Sequence, residues 1–439
     1  MHGLRSLRHR NFRLFLAGQF ISLVGTWMQN VALGWLVYRL TRSPFLLGLT
    51  GFLGQIPSLF FSPLAGVWAD RFDRYRMVLL VQALAMAQAL AMAALVLSGR
   101  ESIPAVLALT LFLGFVNAVD VPSRQSFMIE MVQGGNDLPN AIALNASVFN
   151  VARLIGPSVA GVLISLVGEG TVFLLNGLSY VAVIGALLAV RVPRRETRPA
   201  HVPAVWAHLE EGVRYVAGFA PIRSVLLLLG LVSLVGAPFA VLMPVFASDV
   251  LRGGAHTLGF LVGSIGVGAL AGAVFLAARP TVRGLGRIIV WSVAAFALGL
   301  VALSFAQSEV LAVAVLAVAG FGMMTHSGST NMIIQTLVDG DKRGRVMSLY
   351  TVALMGTTPV GSLCAGTLAG LVGVRFTVAL GGAICLAGAV LFARALPSLR
   401  DQVRPIYTRM GIIPGTEGFG EPARESGGPE GDAEELEAR

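Results

Sequence analysis

Apolar segments about as long as a bilayer is thick follow one another along almost the whole chain, near residues 14–38, 45–68, 76–98, 103–128, 139–167, 171–190, 222–248, 256–278, 286–306, 309–337, 345–372 and 375–396. A hydrocarbon core of about 30 Å takes roughly 20 apolar residues in a helix, so each segment predicts one crossing. Composition agrees: 55% of the 439 residues are hydrophobic and 13% charged, too apolar for a water-soluble domain. With no water at that depth, each segment must satisfy its own backbone hydrogen bonds, and the runs lack the alternating pattern of a barrel. The expected fold class is an all-α polytopic membrane protein. The first segment is too long for a secretory h-region and lacks a small-residue cleavage site, which predicts a retained span.

Basic residues stay on the cytoplasmic side of short loops. Twelve spans with both termini inside put Arg5, Arg8, Arg10, Arg13, Arg71, Arg74, Arg76, Arg194, Arg195, Arg198, Arg283, Arg287, Lys342, Arg343 and Arg345 in the cytoplasm. The other side receives only Arg39, Arg42, Arg100, Arg252 and Arg375. This asymmetry accounts for the net charge of +9 without a nucleic-acid partner. Cys364 and Cys385 lie inside apolar segments, which excludes a disulfide framework and a cysteine metal cluster. No Gly-x-x-x-x-Gly-Lys-Ser/Thr loop is present, so a primary pump is disfavoured. No cofactor is expected, and no nucleophile and base gather at one depth, so the chain does not read as an enzyme.

Internal repetition divides the chain. Leu166-Val167-Gly168 recurs as Leu371-Val372-Gly373 and Gly161 matches Gly366, at an offset of 205, while Leu47-Gly48 matches Leu258-Gly259 and Arg76 matches Arg287, at an offset of 211. Two related halves of six spans follow, residues 1–190 and 222–396. Between them, residues 191–221 carry arginines, prolines and then Trp206-Ala-His-Leu-Glu-Glu-Gly-Val-Arg-Tyr, which reads as a cytoplasmic linker ending in an amphipathic surface helix. Residues 397–439 turn polar, with Glu434, Glu435 and Glu437 near the end, and are expected to form a disordered cytoplasmic tail.

Between the second and third spans stands a dense charged turn, Gly66-Val-Trp-Ala-Asp70-Arg71-Phe-Asp73-Arg74-Tyr-Arg76. It resembles the loop that marks the major facilitator superfamily. Gly66, Asp70, Arg71, Arg74 and Arg76 match that loop, and Asp73 stands where the family usually has Gly. The second half keeps Arg283, Gly284, Gly286 and Arg287 without the acid. The run Asp120-Val-Pro122-Ser-Arg124-Gln125, with Asn145, Asn150, Arg153, Gly156-Pro157 and Gly161, is similar to the bacterial proton-coupled drug and siderophore exporters of that superfamily. Arg343-Gly344-Arg345-Val346-Met347 fits the same group. The resemblance spans residues 1–396. It implies two six-helix bundles that alternate access, and antiport with protons.

Asp70 can pair with Arg74, or with a helix N-terminus of the other half, as a latch between bundles; ordinary positive-inside anchoring explains some of the arginines equally well. Ionisable groups within a membrane are costly and therefore functional candidates. Of 23 acids, only Asp120 falls well inside a predicted span. Arg153 is expected at a similar depth, and Arg124 one turn beyond Asp120 on the same face, although Pro122 distorts the spacing. Either arginine can pair with Asp120, as a proton-coupling site or as a static ion pair. His326, opposite Asp120 when Val132 is aligned with Val338, is a second group that can titrate; both are expected to line a central cavity. Pro122, Gly156, Pro157 and Gly161 read as hinge and packing residues. Asn30, Gln55, Asn117, Asn145, Asn150 and Asn331 are candidate polar points of a substrate cavity whose apolar surroundings suit an amphipathic organic molecule.

These readings converge on a monomeric exporter of the bacterial cytoplasmic membrane that exchanges protons for a small organic compound. A lysophospholipid or lipid flippase of the same fold, and a non-transporting membrane sensor, share most of the same features.

Overall fold

A computed structural model describes residues 2–132, 137–190, 205–279, 281–410 and 412, with only the helical backbone described over 2–4, 63–71 and 205–209. Eleven helices among the described residues are long and apolar enough to cross a membrane. In the first half they are α1 (Arg10–Thr41), α2 (Pro44–Arg71), α3 (Arg74–Leu97), α4 (Ile103–Met131) and α5 (Leu138–Ala189). The amphipathic α6 (Val205–Gly218) follows, within the stretch read as a linker. The second half holds α7 (Ala220–Val250), α8 (Ala255–Ala277), α9 (Leu285–Phe305), α10 (Glu309–Leu337), α11 (Gly340–Val372) and α12 (Val374–Arg409).

The 52 residues of α5 would make a rod of roughly 78 Å at 1.5 Å per residue, more than twice a bilayer. Gly168 breaks it, with φ 77° and ψ 168°, a conformation closed to residues with a Cβ. The chain reverses there. Gly156, before the break, lies against Val24 and Trp27 of α1, and Asn176, after it, lies against Gly25 of the same turn. The eleven helices therefore make twelve crossings. Gly373, the counterpart of Gly168 at the offset of 205, adopts φ 89° and ψ 153° between α11 and α12. The repeat in the sequence is thus a repeat of backbone geometry.

In lipid there is little hydrophobic drive between helices, so small residues that admit close approach decide which helices touch. Within the first half, α1 packs on both arms of α5, α3 on α4 and α5, and α2 on α4. In the second half, α10 packs on α8 and α9, and α9 on α12. The halves meet along two seams, α5 with α8 and α2 with α11. α7 and α11 each carry π-helical turns, at Val232–Gly236, Phe246–Val250 and Val352–Gly356, close to Pro238, Pro244 and Pro359, whose missing N–H interrupts the regular ladder.

The last helix differs from the sequence reading. It continues to Arg409 rather than ending near residue 396, with Leu399 buried and Val403, Ile406 and Tyr407 packed against the second-half core. Pro397 and Pro405 do not stop it, because a periodic apolar face beyond them still has a core to cover. Residues 413–439, the rest of the expected tail, lie outside the described residues, as do residues 191–204 of the linker.

Candidate functional site

The bundle has two ends. One carries the turns at Arg42, Gly168, Arg252 and Gly373 and is called here the Gly168 end; the other carries Asp73, Arg74 and the α8–α9 turn and is called the Arg74 end. The two halves are joined near the Gly168 end. Tyr38 of α1 donates its hydroxyl to Asp249 Oδ2 of α7 at 2.5 Å, while Arg42 donates to Ser248 Oγ at 2.7 Å and Asp249 Oδ1 at 3.3 Å. Just below, Gly161 meets Gly259 across one seam and Gly48 meets Gly366 across the other. Arg39 braces the same end within the first half, reaching Glu169 at 2.8 Å and Glu101 at 3.2 Å. A hydrogen bond from its own backbone amide, and the Arg39 guanidinium, hold the Glu101 carboxyl below its ordinary range.

At the Arg74 end, the described ion pairs stay inside one half or involve the linker helix. Arg74 of α3 donates to Glu130 of α4 at 2.9 Å, and Arg345 of α11 donates to Glu211 of α6 at 2.7 Å. Asp73, which stands in the family's usual glycine position, caps α3 by accepting from the Arg76 amide at 3.2 Å. The side chains of Asp70 and Arg71, and Gly66, fall in the stretch 63–71 whose backbone alone is described.

Midway along the first half, Asp120 is buried. Its carboxylate is held by Arg124, one turn on, and by Gln82 Nε2 of α3 at 2.9 Å. Pro122 lies between the two charged residues without separating them. Of the two arginines read as partners, Arg124 is the one brought to Asp120. Arg153 instead lies at the α5–α8 seam, where its backbone carbonyl borders Gly266, and its guanidinium stacks over Trp27 with 5.7 Å to the ring centroid. Trp27 also meets Phe149 edge-on, with 5.7 Å between centroids. Among the described residues Arg153 has no carboxylate partner.

His326 is 1% exposed, and neither ring nitrogen has a hydrogen-bond partner among the described residues. Gly322, one turn earlier, abuts Ser292 and Phe296 of α9, so His326 faces α9 inside the second half instead of a cavity shared with Asp120. The hydroxyls of Thr325, Ser329 and Thr330 beside it are likewise unpartnered.

The polar cavity candidates divide. Asn30 is exposed on the α1 face shared by Trp27 and by Gly34, which meets Pro244 of α7, and so looks between the halves. Gln55 and Asn117 are also exposed, Gln55 donating to the Gly51 carbonyl at 3.3 Å. Asn145 is half-buried, Asn150 bonds back to Ala146 within its own helix, and Asn331 accepts from Gln335 and also meets the Tyr350 hydroxyl of α11. Gly156 and Pro157 are buried, Gly156 directly under Trp27. A network that sequence reasoning missed runs through the first half: Asn176 donates to Gln29 at 2.7 Å, Gln29 to Gln88 at 3.0 Å, and Gln88 to the Leu109 carbonyl at 3.3 Å, linking four helices. Three uncharged amides in apolar runs were a signal, but only packing could say that they meet.

Comparison with known proteins completes the assignment. The model of the transmembrane secretion effector family matches residues 1–406. The chain is 27% identical to the multidrug efflux pump Tap of Mycolicibacterium fortuitum over 88% of its length and 96% of the relative's. It is 22% identical to the staphyloferrin A transporter of Staphylococcus aureus (strain NCTC 8325 / PS 47), over 85% and 94%. A solved bacterial homologue of the iron transporter ferroportin superposes with a TM-score of 0.65 at 18% identity, covering 88% of this chain and 98% of that one, which shows the same fold. The chain belongs to the transmembrane secretion effector family of major facilitator transporters and is not an enzyme.

Proposed function

We propose that this protein is a secondary exporter that moves small amphipathic organic compounds out of a bacterial cell by alternating access, driven by proton antiport. The observation that carries the reading is the contrast between a buried acid and a half-buried arginine. Asp120 is already neutralised within its own half by Arg124 and Gln82, whereas Arg153 stands at the seam between halves over the Trp27 ring, with no carboxylate partner among the described residues. An arginine held over an indole at an apolar seam recruits a ligand with an anionic or aromatic group. Asp120 is the proton carrier in this reading: protonation releases Arg124, and the freed guanidinium changes how α4 packs on α3.

Positive-inside placement assigns the Arg74 end, with both termini, to the cytoplasm. On that placement the joined Gly168 end faces outward. The family's efflux relatives support export as the direction, and the protein is taken to act as a monomer.

The test is pH-jump transport in proteoliposomes, offering a panel of dyes, macrolides and siderophores to the intact protein, Asp120→Asn and Arg153→Gln. The reading expects gradient-driven movement to be lost in Asp120→Asn, and Arg153→Gln to raise the half-saturating substrate concentration. Equal movement by all three proteins overturns both roles.

A further inference from the structure

The two halves differ most where they should be alike. In the first half, the space between the α2–α3 turn and the end of α4 is filled by rings: Tyr75 and Phe15 each lie 6.1 Å from Phe127, which is fully buried. The offsets of 211 and 206 read from the sequence carry Tyr75 to Gly286 and Phe127 to Ile333. Both rings are gone. Glu130, which pairs with Arg74, is carried to Thr336, whose hydroxyl bonds back to Met332. A cleft of about 330 Å³ stands in the place of the aromatic plug, walled by Val225 of α7, Ile333 and Leu337 of α10, and Phe392, Leu396 and Leu399 of α12.

The mouth of the cleft is cationic. Arg283, Arg400 and Arg404 line it and are exposed, with Asp401 the single acid in the lining. No hydrogen bond or ion pair among the described residues engages these three guanidinium groups. The cleft opens at the Arg74 end, where α12 runs on past its apolar stretch and carries Arg400 and Arg404. We propose that it binds an anionic phospholipid of that leaflet, with an acyl chain against Ile333, Leu337 and Phe392 and the phosphate between Arg283, Arg400 and Arg404. Apolar walls under a cluster of fixed positive charges are what an anionic lipid requires, and a basic pocket between helices on this side is the usual form of such a site. The proposal does not depend on what the protein transports.

The experiment titrates the delipidated full chain in detergent with dioleoylphosphatidylglycerol, dioleoylphosphatidylcholine or inorganic phosphate, followed by native mass spectrometry and by thermal unfolding. Phosphatidylglycerol is expected to bind at least about tenfold more tightly than phosphatidylcholine and to raise the unfolding temperature. Arg400→Ala with Arg404→Ala, both exposed, should erase that preference. Ile333→Phe, which restores the ring of the first half, should weaken phosphatidylglycerol binding by about tenfold while the lipid-free protein unfolds as before. Equal binding of the two lipids, or equal protection by inorganic phosphate alone, overturns the proposal. So does unchanged binding in both variants, or no lipid binding at all, as when the chain's own acidic C-terminal segment fills the cleft.

Discussion

Gly161 and Gly259 approach so closely that a Cβ on either would lie 2.8 or 2.7 Å from the other's α-carbon. Gly48 and Gly366 do the same across the second seam, at 2.9 and 2.8 Å. The repeat relates Gly161 to Gly366 and Gly48 to Gly259, so the two contacts are one contact made twice by the pseudo-symmetry of the halves.

Replacing either partner with a larger residue should therefore prop the Gly168 end open. Gly161→Leu is expected to shift the protein away from the closed arrangement at that end, at a cost of about 1–3 kcal/mol for overpacking. Spin labels placed on α1 and α7 near this end would report it as a longer distance distribution. A distribution identical to that of the unmodified pair would contradict the prediction.

Tyr38 and Arg42 both reach Asp249, yet they should not matter equally. The tyrosine is buried and its bond to a carboxylate is worth about 1.5–3 kcal/mol. The Arg42 pair is exposed, at 66% and 49% for the two side chains, and such pairs contribute about 0–1 kcal/mol. In the same distance measurement, Tyr38→Phe should open the Gly168 end clearly and Arg42→Gln hardly at all.

Gln29 sits in the middle of a chain of buried amides. Gln29→Leu strands both Asn176 and Gln88 and should destabilise by about 1–3 kcal/mol per stranded group. Replacing Gln29, Gln88 and Asn176 together by apolar residues of similar size should cost less than the single change. Thermal unfolding of the two variants side by side gives the comparison.

His326 presents the opposite case, since nothing is lost when an orphaned group is removed. His326→Leu should stabilise the second half by about 1–3 kcal/mol and leave transport intact. A stabilised protein that no longer transports would make the histidine functional in spite of its position.

Acid should loosen the Gly168 end. The Glu101 carboxyl is depressed from its ordinary 4.5, so it contributes stability above that value and loses it as pH falls through the lower folded one. The difference in unfolding temperature between the protein and Glu101→Gln should be present at neutral pH and vanish in strong acid.

The spans were legible because a bilayer imposes one length and one solvent on every segment, and the twelve apolar runs answer that requirement locally. Gly168 and Gly373 were legible as a repeat, since only glycine holds their positive φ. Pairings across space were not. Asp120 has two arginines at comparable depth, and nothing in their order says that Arg124 takes the carboxylate while Arg153 turns to Trp27. His326 aligns with Asp120 in sequence but meets α9, where the pseudo-equivalent of Gln82 is Val293, so it has no amide to bond.

What the sequence determined by itself is therefore what local chemistry dictates: helices, their number, their reversal points and the division into two halves. What only the tertiary structure decided is which helices touch and which equivalent sites stay alike. Those outcomes rest on contacts between residues far apart in the chain, where two rings exchanged for Gly286 and Ile333 leave a cleft in place of a filled core.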